Sequence, residues 1–225
     1  MLRTTPEVLN LCFHGIGAPQ RELEPDEERF WIEPETFEEM LGVVERDPTL
    51  RITFDDGNAS DLEIALPALE RRGLRATFFV IAGRCGEPGS LSAGDVGVLA
   101  RNGMTIGSHG MRHRPWRSLD DEAVREELVD APRLLGEAAG AAVTEASCPF
   151  GAYDRRALAA LRRHGFSRVY TVDEGPADPH AWLQPRYTIR ADDTAERIAA
   201  LAHEPRPRFP SNVIRSLKTA AKRWR

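Results

Sequence analysis

The sequence predicts an α/β fold in which parallel strands form a deformed, incomplete (β/α) barrel of about seven strands. Short apolar runs alternate with longer segments of helical character along most of the 225 residues. About seven such units recur in one chain, and this number of strand–helix repeats favours a barrel. Polar residues that can carry chemistry follow several of the apolar runs, and in a barrel such residues converge on one face.

Seven apolar runs are predicted to be strands, and five segments between them are predicted to be helices. The strands span residues 8–13, 50–54, 75–81, 104–107, 143–149, 168–172 and 186–189. The helices span residues 35–45, 62–71, 91–101, 120–139 and 154–163. Strands that alternate with helices indicate a parallel sheet, because a parallel partner strand requires a crossover connection.

Residues with special backbone or capping properties set the helix boundaries. Pro34 suits the first turn of a helix, where its missing N–H would have no partner. Ser60 and Glu63 have the spacing of a capping box at the start of the second helix. Ser118 is predicted to cap the long fourth helix, and Pro132 should kink or interrupt it.

The composition indicates a soluble globular domain and argues against nucleic-acid binding. The hydrophobic fraction of 41% and the charged fraction of 29% are usual for a packed soluble protein. A net charge of −5 lacks the basic footprint of a nucleic-acid binder. Three cysteines are too few for a disulfide framework and indicate buried thiols in a reducing compartment. The N-terminal residues contain no apolar signal core, so we expect a cytoplasmic protein.

Two segments that follow predicted strands contain the residue types of a catalytic metal site. Residues 53–57 read TFDDG and place Asp55 and Asp56 at the end of an apolar run. Residues 108–113 read SHGMRH and place His109 and His113 four positions apart. One Asp and two His leave coordination positions open on a divalent ion, which is typical of catalytic sites. A simple turn at the Asp pair and two solvated histidines are the structural alternatives.

Together these segments resemble the first two motifs of the polysaccharide deacetylases, the NodB-homology family of carbohydrate esterases. Residues 147–154, SCPFGAYD, are similar to the third motif of that family. The similarity extends from residue 8 to about residue 190. It implies a barrel of the NodB-homology type that carries a metal-dependent N-deacetylase of an acetamido sugar.

The resemblance implies that Asp56, His109 and His113 bind the metal and that Asp55 is the catalytic base. Zinc is the expected ion, and iron, cobalt or nickel can occupy the same ligands. Such an ion lowers the pKa of a bound water and polarises an amide carbonyl. The oxyanion that forms on hydrolysis is expected to meet a backbone N–H near Phe150, at the position that matches the third motif.

Two positions depart from the family pattern. Ser147 stands where the family usually has an Arg that orients the base, and Arg186 is a candidate to replace that Arg. The last motif of the family, a His that protonates the leaving amine, has no clear counterpart. His14 follows the first predicted strand, so it should lie on the same barrel face as Asp55, and histidine suits proton donation near neutral pH. A histidine that merely bridges loops is the alternative at this position.

Four further residues are candidates for binding the sugar. Phe150 and Gly151 belong to the third motif. Asp173 falls where an acidic residue of a fourth motif is expected, and Trp182 can line a sugar pocket by stacking. An arginine-rich loop at residues 112–117 can bind a phosphate or carboxylate of the substrate, or can serve ordinary loop packing.

Residues 1–204 are predicted to form the barrel, and residues 205–225 a basic C-terminal tail or helix. Apolar residues of the tail fall at helical spacing with cations on the opposite side. This pattern predicts peripheral contact with an anionic membrane surface, at the inner face if the protein is cytoplasmic. A helix that docks on the barrel or frays is the alternative.

The expected substrate is an acetamido sugar of a glycan precursor, either nucleotide-linked or lipid-linked, or a growing surface glycan. Two alternatives remain open at this point. The chain can be a deformylase or amidohydrolase that acts on another small amide. It can also be a catalytically degenerate barrel that retains the metal and serves as a glycan-binding or scaffold subunit.

Overall fold

The computed structural model describes residues 7–203. The basic tail predicted at residues 205–225, with its proposed membrane contact, lies outside the described residues. No helix of the described part is long and apolar enough to cross a membrane. The predicted domain boundary at residue 204 stays a prediction.

The described residues contain nine strands, seven of which form a barrel. The strands are β1 (Leu9–Phe13), β2 (Gly15–Ile16), β3 (Trp31–Ile32), β4 (Leu50–Asp56), β5 (Ala76–Val80), β6 (Thr105–Ser108), β7 (Glu145–Ser147), β8 (Arg168–Thr171) and β9 (Leu183–Thr188). The order in the barrel is β1-β4-β5-β6-β7-β8-β9, and every neighbouring pair is parallel. The barrel closes because β9 pairs with β1, with Asn10 opposite Arg186. The predicted fold class, a barrel with seven strands instead of the usual eight, is confirmed.

Helices connect the barrel strands on the outside. They are α1 (Pro34–Arg46), α2 (Leu66–Arg71), α3 (Ala93–Arg101), α4 (Asp121–Arg125), α5 (Ala131–Ala139), α6 (Arg155–Arg163) and α7 (Ala195–His203). Each predicted helix has an observed counterpart, and α1 begins at Pro34 as expected. Only α7, among the described helices, was not predicted as an element.

The structure corrects two predicted caps and confirms the predicted interruption. Ser60 is itself helical and caps nothing, because its hydroxyl accepts a hydrogen bond from the Ile16 backbone N–H at 3.2 Å. Ser118 does not cap α4, whose N-cap is Asp120. A π-helical turn at residues 126–130 separates α4 from α5, and Pro132 lies in the first turn of α5.

Alternation along the strands separates an apolar outer layer from a polar barrel interior. Phe54 of β4 packs in the outer layer, with its ring 5.5 Å from that of Phe13 and 4.6 Å from that of Phe78. Truncating such a fully buried aromatic residue costs about 3–5 kcal/mol. The next residue, Asp55, points to the opposite face, because successive strand residues alternate. The apolar layer therefore fixes which side chains enter the barrel.

The segment between β1 and α1 was not foreseen as structure. It contains the short parallel pair β2–β3, in which Gly15 lies opposite Trp31. A 3₁₀ turn at Glu27–Phe30 precedes β3. The loop at residues 17–30, called the strap below, crosses the carboxyl end of the barrel, where several of its residues line the central cavity.

Candidate active site

Three predicted metal ligands meet at the carboxyl ends of β4 and β6. Asp56 is the last residue of β4, and His109 directly follows β6. The Nε2 atoms of His109 and His113 each lie 3.5 Å from Oδ1 of Asp56. Ligands about 2.0–2.1 Å from a tetrahedral zinc ion would lie about 3.3 Å from one another. The spacing therefore fits a single ion held by these three side chains.

The two histidines are oriented so that Nε2 faces the ion site. Nδ1 of His109 lies 2.9 Å from the carbonyl oxygen of Ser147, and Nδ1 of His113 lies 3.2 Å from Oε1 of Glu24. A carbonyl or carboxylate at Nδ1 requires the N–H there, which leaves the lone pair on Nε2. Both imidazoles thus present a ligand atom toward Asp56.

Burial and charge also fit a cation. Oδ1 of Asp56 is buried and has no hydrogen-bond partner among the described residues, although such atoms are costly to leave unpaired. Burial lowers the pKa of His109 to about 4, so its imidazole is neutral near pH 7, as a metal ligand must be. The pKa of Asp56 is lowered, because the charges of His14, His113 and His109 outweigh the opposing effect of burial. An Asp and two histidines form a donor set that suits zinc or a similar divalent metal.

The backbone at this site is unusual. Asp56 has φ of 78°, and His113 has φ of 51°. Non-glycine residues rarely adopt this left-handed region, and such strain clusters at functional sites. The conformation turns both side chains toward the common ligand position.

Asp55, the other carboxylate of the TFDDG segment, is held by an arginine of β9, which is separated from β4 in the barrel only by β1. Arg186 of β9 donates from Nη1 to Oδ1 of Asp55 and from Nη2 to Oδ2, each at 2.7 Å. Ser147 donates to Oδ2 of Asp55 at 3.1 Å. Burial opposes ionisation of Asp55, but the Arg186 and His109 charges hold its pKa well below its usual range. The suggestion that Arg186 replaces the arginine missing at Ser147 matches this arrangement.

Asp55 and the three candidate metal ligands line a cavity of about 440 Å³. Its floor carries Asp55, Asp56 and His109, and its wall includes residues 24–27 and Phe30 of the strap. A volume of this size accommodates a small ligand such as a sugar.

Comparison with known proteins identifies the family to which this chain belongs. The sequence profile of the polysaccharide deacetylase family matches residues 43–169. The chain belongs to the polysaccharide deacetylase family. Members of this family are hydrolases that act on amide bonds.

The YxkH protein of Bacillus subtilis strain 168 is 27% identical over 139 residues, which cover 62% of this chain and 50% of that protein. The chain thus spans half the length of that curated relative. Three solved structures share the fold at low identity, and each aligns with 88% of this chain. The first is a Streptococcus pyogenes deacetylase, PplD, in complex with acetate, with 18% identity, a TM-score of 0.74 and 99% of that chain covered. The second is the polysaccharide deacetylase BC0361 from Bacillus cereus, with 19% identity, a TM-score of 0.75 and 69% of that chain covered. The third is IcaB from Ammonifex degensii, with 22% identity, a TM-score of 0.72 and 98% of that chain covered.

His14 of this family member lies in the same cavity as the metal ligands. Its ring stacks on Phe30 of the strap, with centroids 4.9 Å apart. His14, Cys12 and Asp55 offer donor atoms within 4.8 Å of one another, so His14 lies close to the base. Arg186 is bonded to Asp55 at this point, which disfavours a second cation. The position agrees with a proton donor, and the catalytic role of His14 stays a prediction.

The third-motif residues form one wall of the cavity. The ring of Phe150 lies 4.4 Å from that of His113, and the side chain is 58% exposed. Gly151 has φ of 60°, and a Cβ there would lie 2.1 Å from Cγ2 of Val172, so only glycine fits. Phe150 is thus placed to meet a ligand, while Gly151 permits the tight turn. Sugar binding by these two residues stays a prediction.

Trp182 does not lie at the carboxyl end of the barrel, where a residue that binds a sugar in this cavity must lie. It precedes β9 and therefore lies at the amino end of the barrel, opposite the metal ligands. Its indole N–H donates to the carbonyl oxygen of Phe166 at 2.8 Å, and the Arg162 guanidinium lies 4.0 Å from its ring centroid. The expectation that Trp182 stacks on the sugar is wrong for this cavity.

Asp173 lies on the correct side of the barrel, after β8. Its Oδ2 accepts a hydrogen bond from the Tyr153 hydroxyl at 2.8 Å, and its neighbours Val172 and Glu174 line the cavity. A role for Asp173 in substrate binding stays a prediction.

The arginine-rich loop packs instead of facing the cavity. Arg112 and Arg114 pair with Glu126 at 2.8 and 2.9 Å, and Arg114 also pairs with Glu127 at 3.0 Å. Trp116 is fully buried. Of the two interpretations of residues 112–117, loop packing is favoured.

Sequence reasoning missed Glu24. Besides contacting His113, its carboxylate forms an ion pair with Arg84. The Glu24 backbone N–H donates to Glu27, which is paired with Arg21, and Arg21 also donates to Oδ1 of Asn58. The strap is therefore bound to the loops that follow β4, β5 and β6, through Asn58, Arg84 and His113 respectively. No periodicity in residues 17–30 signals this arrangement.

Proposed function

We propose that this protein is a metal-dependent hydrolase that removes the N-acetyl group from an acetamido sugar during synthesis of a surface polysaccharide or glycan precursor. The observation that carries the proposal is the joint placement of the Asp56–His109–His113 ligand set and an arginine-held Asp55 in one cavity. Three protein ligands leave a divalent ion, zinc by default, open to water and to the acyl oxygen. Family membership supports the same reaction class.

Asp55 is the group that accepts the proton of the attacking water. A carboxylate has about four acceptor positions, and two bonds from Arg186 and one from Ser147 leave a position for water. Because the pKa of Asp55 is depressed, the carboxylate is ionised throughout the neutral range. Arg186 also fixes the direction of the carboxylate, which a buried base requires.

His14 is the group proposed to return a proton to the departing nitrogen. An amine leaves as a neutral molecule only if it gains a proton, and His14 is a histidine that faces the same cavity as Asp55. Its stacking on Phe30 would hold the ring in place while a substrate binds. In one turnover Asp55 gains a proton from water, and His14 gives a proton to the departing nitrogen as the carbon–nitrogen bond breaks. Asp55 then releases its proton to solvent and His14 takes one up, so both groups return to their starting states.

The substrate is proposed to be a precursor in the cytoplasm, linked to a nucleotide or a lipid. The proposal of this compartment is supported by Cys12, Cys85 and Cys148, which form no disulfide bond within residues 7–203.

Acetate release from a panel of acetamido sugars, with zinc and with chelator, tests the function. Release that requires metal supports the proposal. Formate release from N-formyl sugars without acetate release would favour a deformylase. A protein that binds metal and glycan but releases no acid would favour a binding or scaffold subunit.

A further inference from the structure

Two arginines at the mouth of the cavity have no acidic partner in the part of the chain that the structure describes. Arg29 and Arg190 both line the cavity and are exposed. Neither forms an ion pair with any residue between 7 and 203, whereas Arg21, Arg84 and Arg186 each pair with a carboxylate. The cations deeper in the site are therefore neutralised, and those at the mouth are available to a ligand.

The two arginines are neighbours in space although far apart in sequence. The backbone N–H of Ala191 donates to the carbonyl oxygen of Arg29 at 2.8 Å, so the strap and the segment after β9 run side by side here. Arg29 and Arg190 thus project from two adjacent backbone segments at one edge of the cavity. Such an arrangement lets two guanidinium groups reach one ligand.

The edge with the arginines is connected to the reacting centre through stacked rings. The His14 ring lies 4.9 Å from that of Phe30, and the Arg29 guanidinium lies 4.8 Å from the Phe30 centroid on that ring. A group bound by Arg29 is therefore two ring contacts from the proposed proton donor. This separation suits a substituent of the sugar and excludes the reacting acetamide itself.

We propose that Arg29 and Arg190 bind a phosphate group carried by the acetamido sugar. This inference rests on the proposed function and names the substrate class of the same site. A carboxylate can be satisfied by the fork of one arginine, whereas the non-bridging oxygens of a phosphate, two in a diester and three in a monoester, can accept from two arginines. Nucleotide-linked and lipid-linked sugars share this phosphate, so the subsite recognises what the two classes have in common.

Carboxylates in the same cavity affect how the phosphate is expected to be bound. Asp26 and Glu174 also line it, so the mouth carries both signs of charge. The phosphate is recognised by local hydrogen bonds from the paired guanidinium groups and not by a broad positive field. Because the arginines are exposed, added salt should weaken the contact.

The test compares a neutral methyl glycoside of N-acetylglucosamine with N-acetylglucosamine 1-phosphate and UDP-N-acetylglucosamine, using the zinc-loaded full chain. We expect both phosphorylated sugars to have a kcat/KM higher by about ten- to a hundredfold, mainly through KM. In Arg29→Gln, Arg190→Gln and the double variant, this preference should collapse. Arg163→Gln, an exposed arginine at the end of α6, is the matched control and should retain it. A preference for UDP-N-acetylglucosamine over the 1-phosphate would assign the nucleotide-linked class.

Equal kcat/KM for neutral and phosphorylated sugars in the wild type would overturn the subsite, as would equal losses on both in the arginine variants. A stronger preference for N-acetylmuramic acid, which carries a carboxylate, would overturn the choice of phosphate. If no sugar releases acetate, the proposed function fails separately. Calorimetric binding of N-acetylglucosamine 1-phosphate to chelator-treated protein, compared with the double variant, then decides the subsite alone. Binding that the double variant retains would refute it.

Discussion

Arg186 and Asp55 form a two-pronged ion pair inside the barrel, with both donor–acceptor distances 2.7 Å. Arg186 is fully buried, and its guanidinium lies 5.3 Å from the ring centroid of Phe79 and 5.8 Å from that of Tyr170. These contacts hold the guanidinium plane while its fork engages the carboxylate. The geometry links stability to the proposed catalysis, because the same pair neutralises a buried charge and orients the carboxylate proposed as the base.

Replacing Arg186 with Met should therefore remove activity and destabilise the fold by about 3–5 kcal/mol, because Asp55 is left as an unpaired buried charge. Urea unfolding and acetate release measure the two effects. Arg186→Lys keeps the charge but loses the fork, so it should recover part of the stability and little of the activity.

The double variant Asp55→Asn with Arg186→Met distinguishes the stability lost through an unpaired buried charge from the stability lost through packing. Removing both charges should restore much of the stability lost by Arg186→Met, since no ion remains unpaired. If the double variant is as unstable as the sum of the two single variants, the destabilisation comes from lost packing.

Glu24→Gln should weaken zinc binding by about ten- to a hundredfold, because the carboxylate fixes the His113 tautomer and makes the ring a better ligand. Competition with a chromophoric chelator measures the affinity directly. Glu22→Gln is the control, because Glu22 is an exposed acid of the same strap. Unchanged affinity in Glu24→Gln would restrict Glu24 to holding Arg84.

The convergence of the candidate metal ligands and the proposed base could be predicted from sequence because of a general property of parallel barrels, whereas their roles were implied by the family resemblance. Residues that follow strands meet at the carboxyl end, so Asp55, Asp56 and His109 converge whatever the details of the helices. The same rule places Trp182, which precedes a strand, at the opposite end, and it should have excluded that residue. The choice of Trp182 followed residue type instead of position.

The strap could not be predicted in this way. Residues 17–30 have neither helical nor strand periodicity, and their structure depends on ion pairs with distant residues. Glu24 meets Arg84 sixty positions along the chain, and Arg21 meets Asn58. Such pairings are set by the finished barrel and leave no local signal.

His14→Ala should lower the deacetylation rate by about a hundred- to ten-thousandfold and leave zinc content unchanged, if His14 is the proton donor. The choice of substrate distinguishes this role from packing on Phe30. Hydrolysis of p-nitrophenyl acetate releases a phenolate that needs no proton, so this activity should fall far less. His180→Ala, an exposed histidine, should affect neither reaction. Equal losses on amide and ester would assign His14 a structural role.

Asp61 supplies a prediction about pH. It is fully buried, and neither carboxyl oxygen makes a well-formed hydrogen bond to a described residue. Burial, together with the charges of Asp56 and Asp55, raises the pKa of Asp61 well above its usual value, so the folded state holds a proton there. The stability that depends on this proton is full below the unfolded pKa, about 3.9, and declines as the pH rises towards the folded pKa.

Asp61→Asn removes that dependence, so the variant should gain stability relative to wild type as the pH increases from 4 to 8. The difference should grow by at most about 1.4 kcal/mol per pH unit and then level off above the folded pKa. Urea unfolding across this range, with chelator in every sample, measures the difference without a contribution from metal. Asp192→Asn changes an exposed acid and should show no such trend. A stability difference that stays constant between pH 4 and 8 would mean that Asp61 has the same proton occupancy in the folded and unfolded chain.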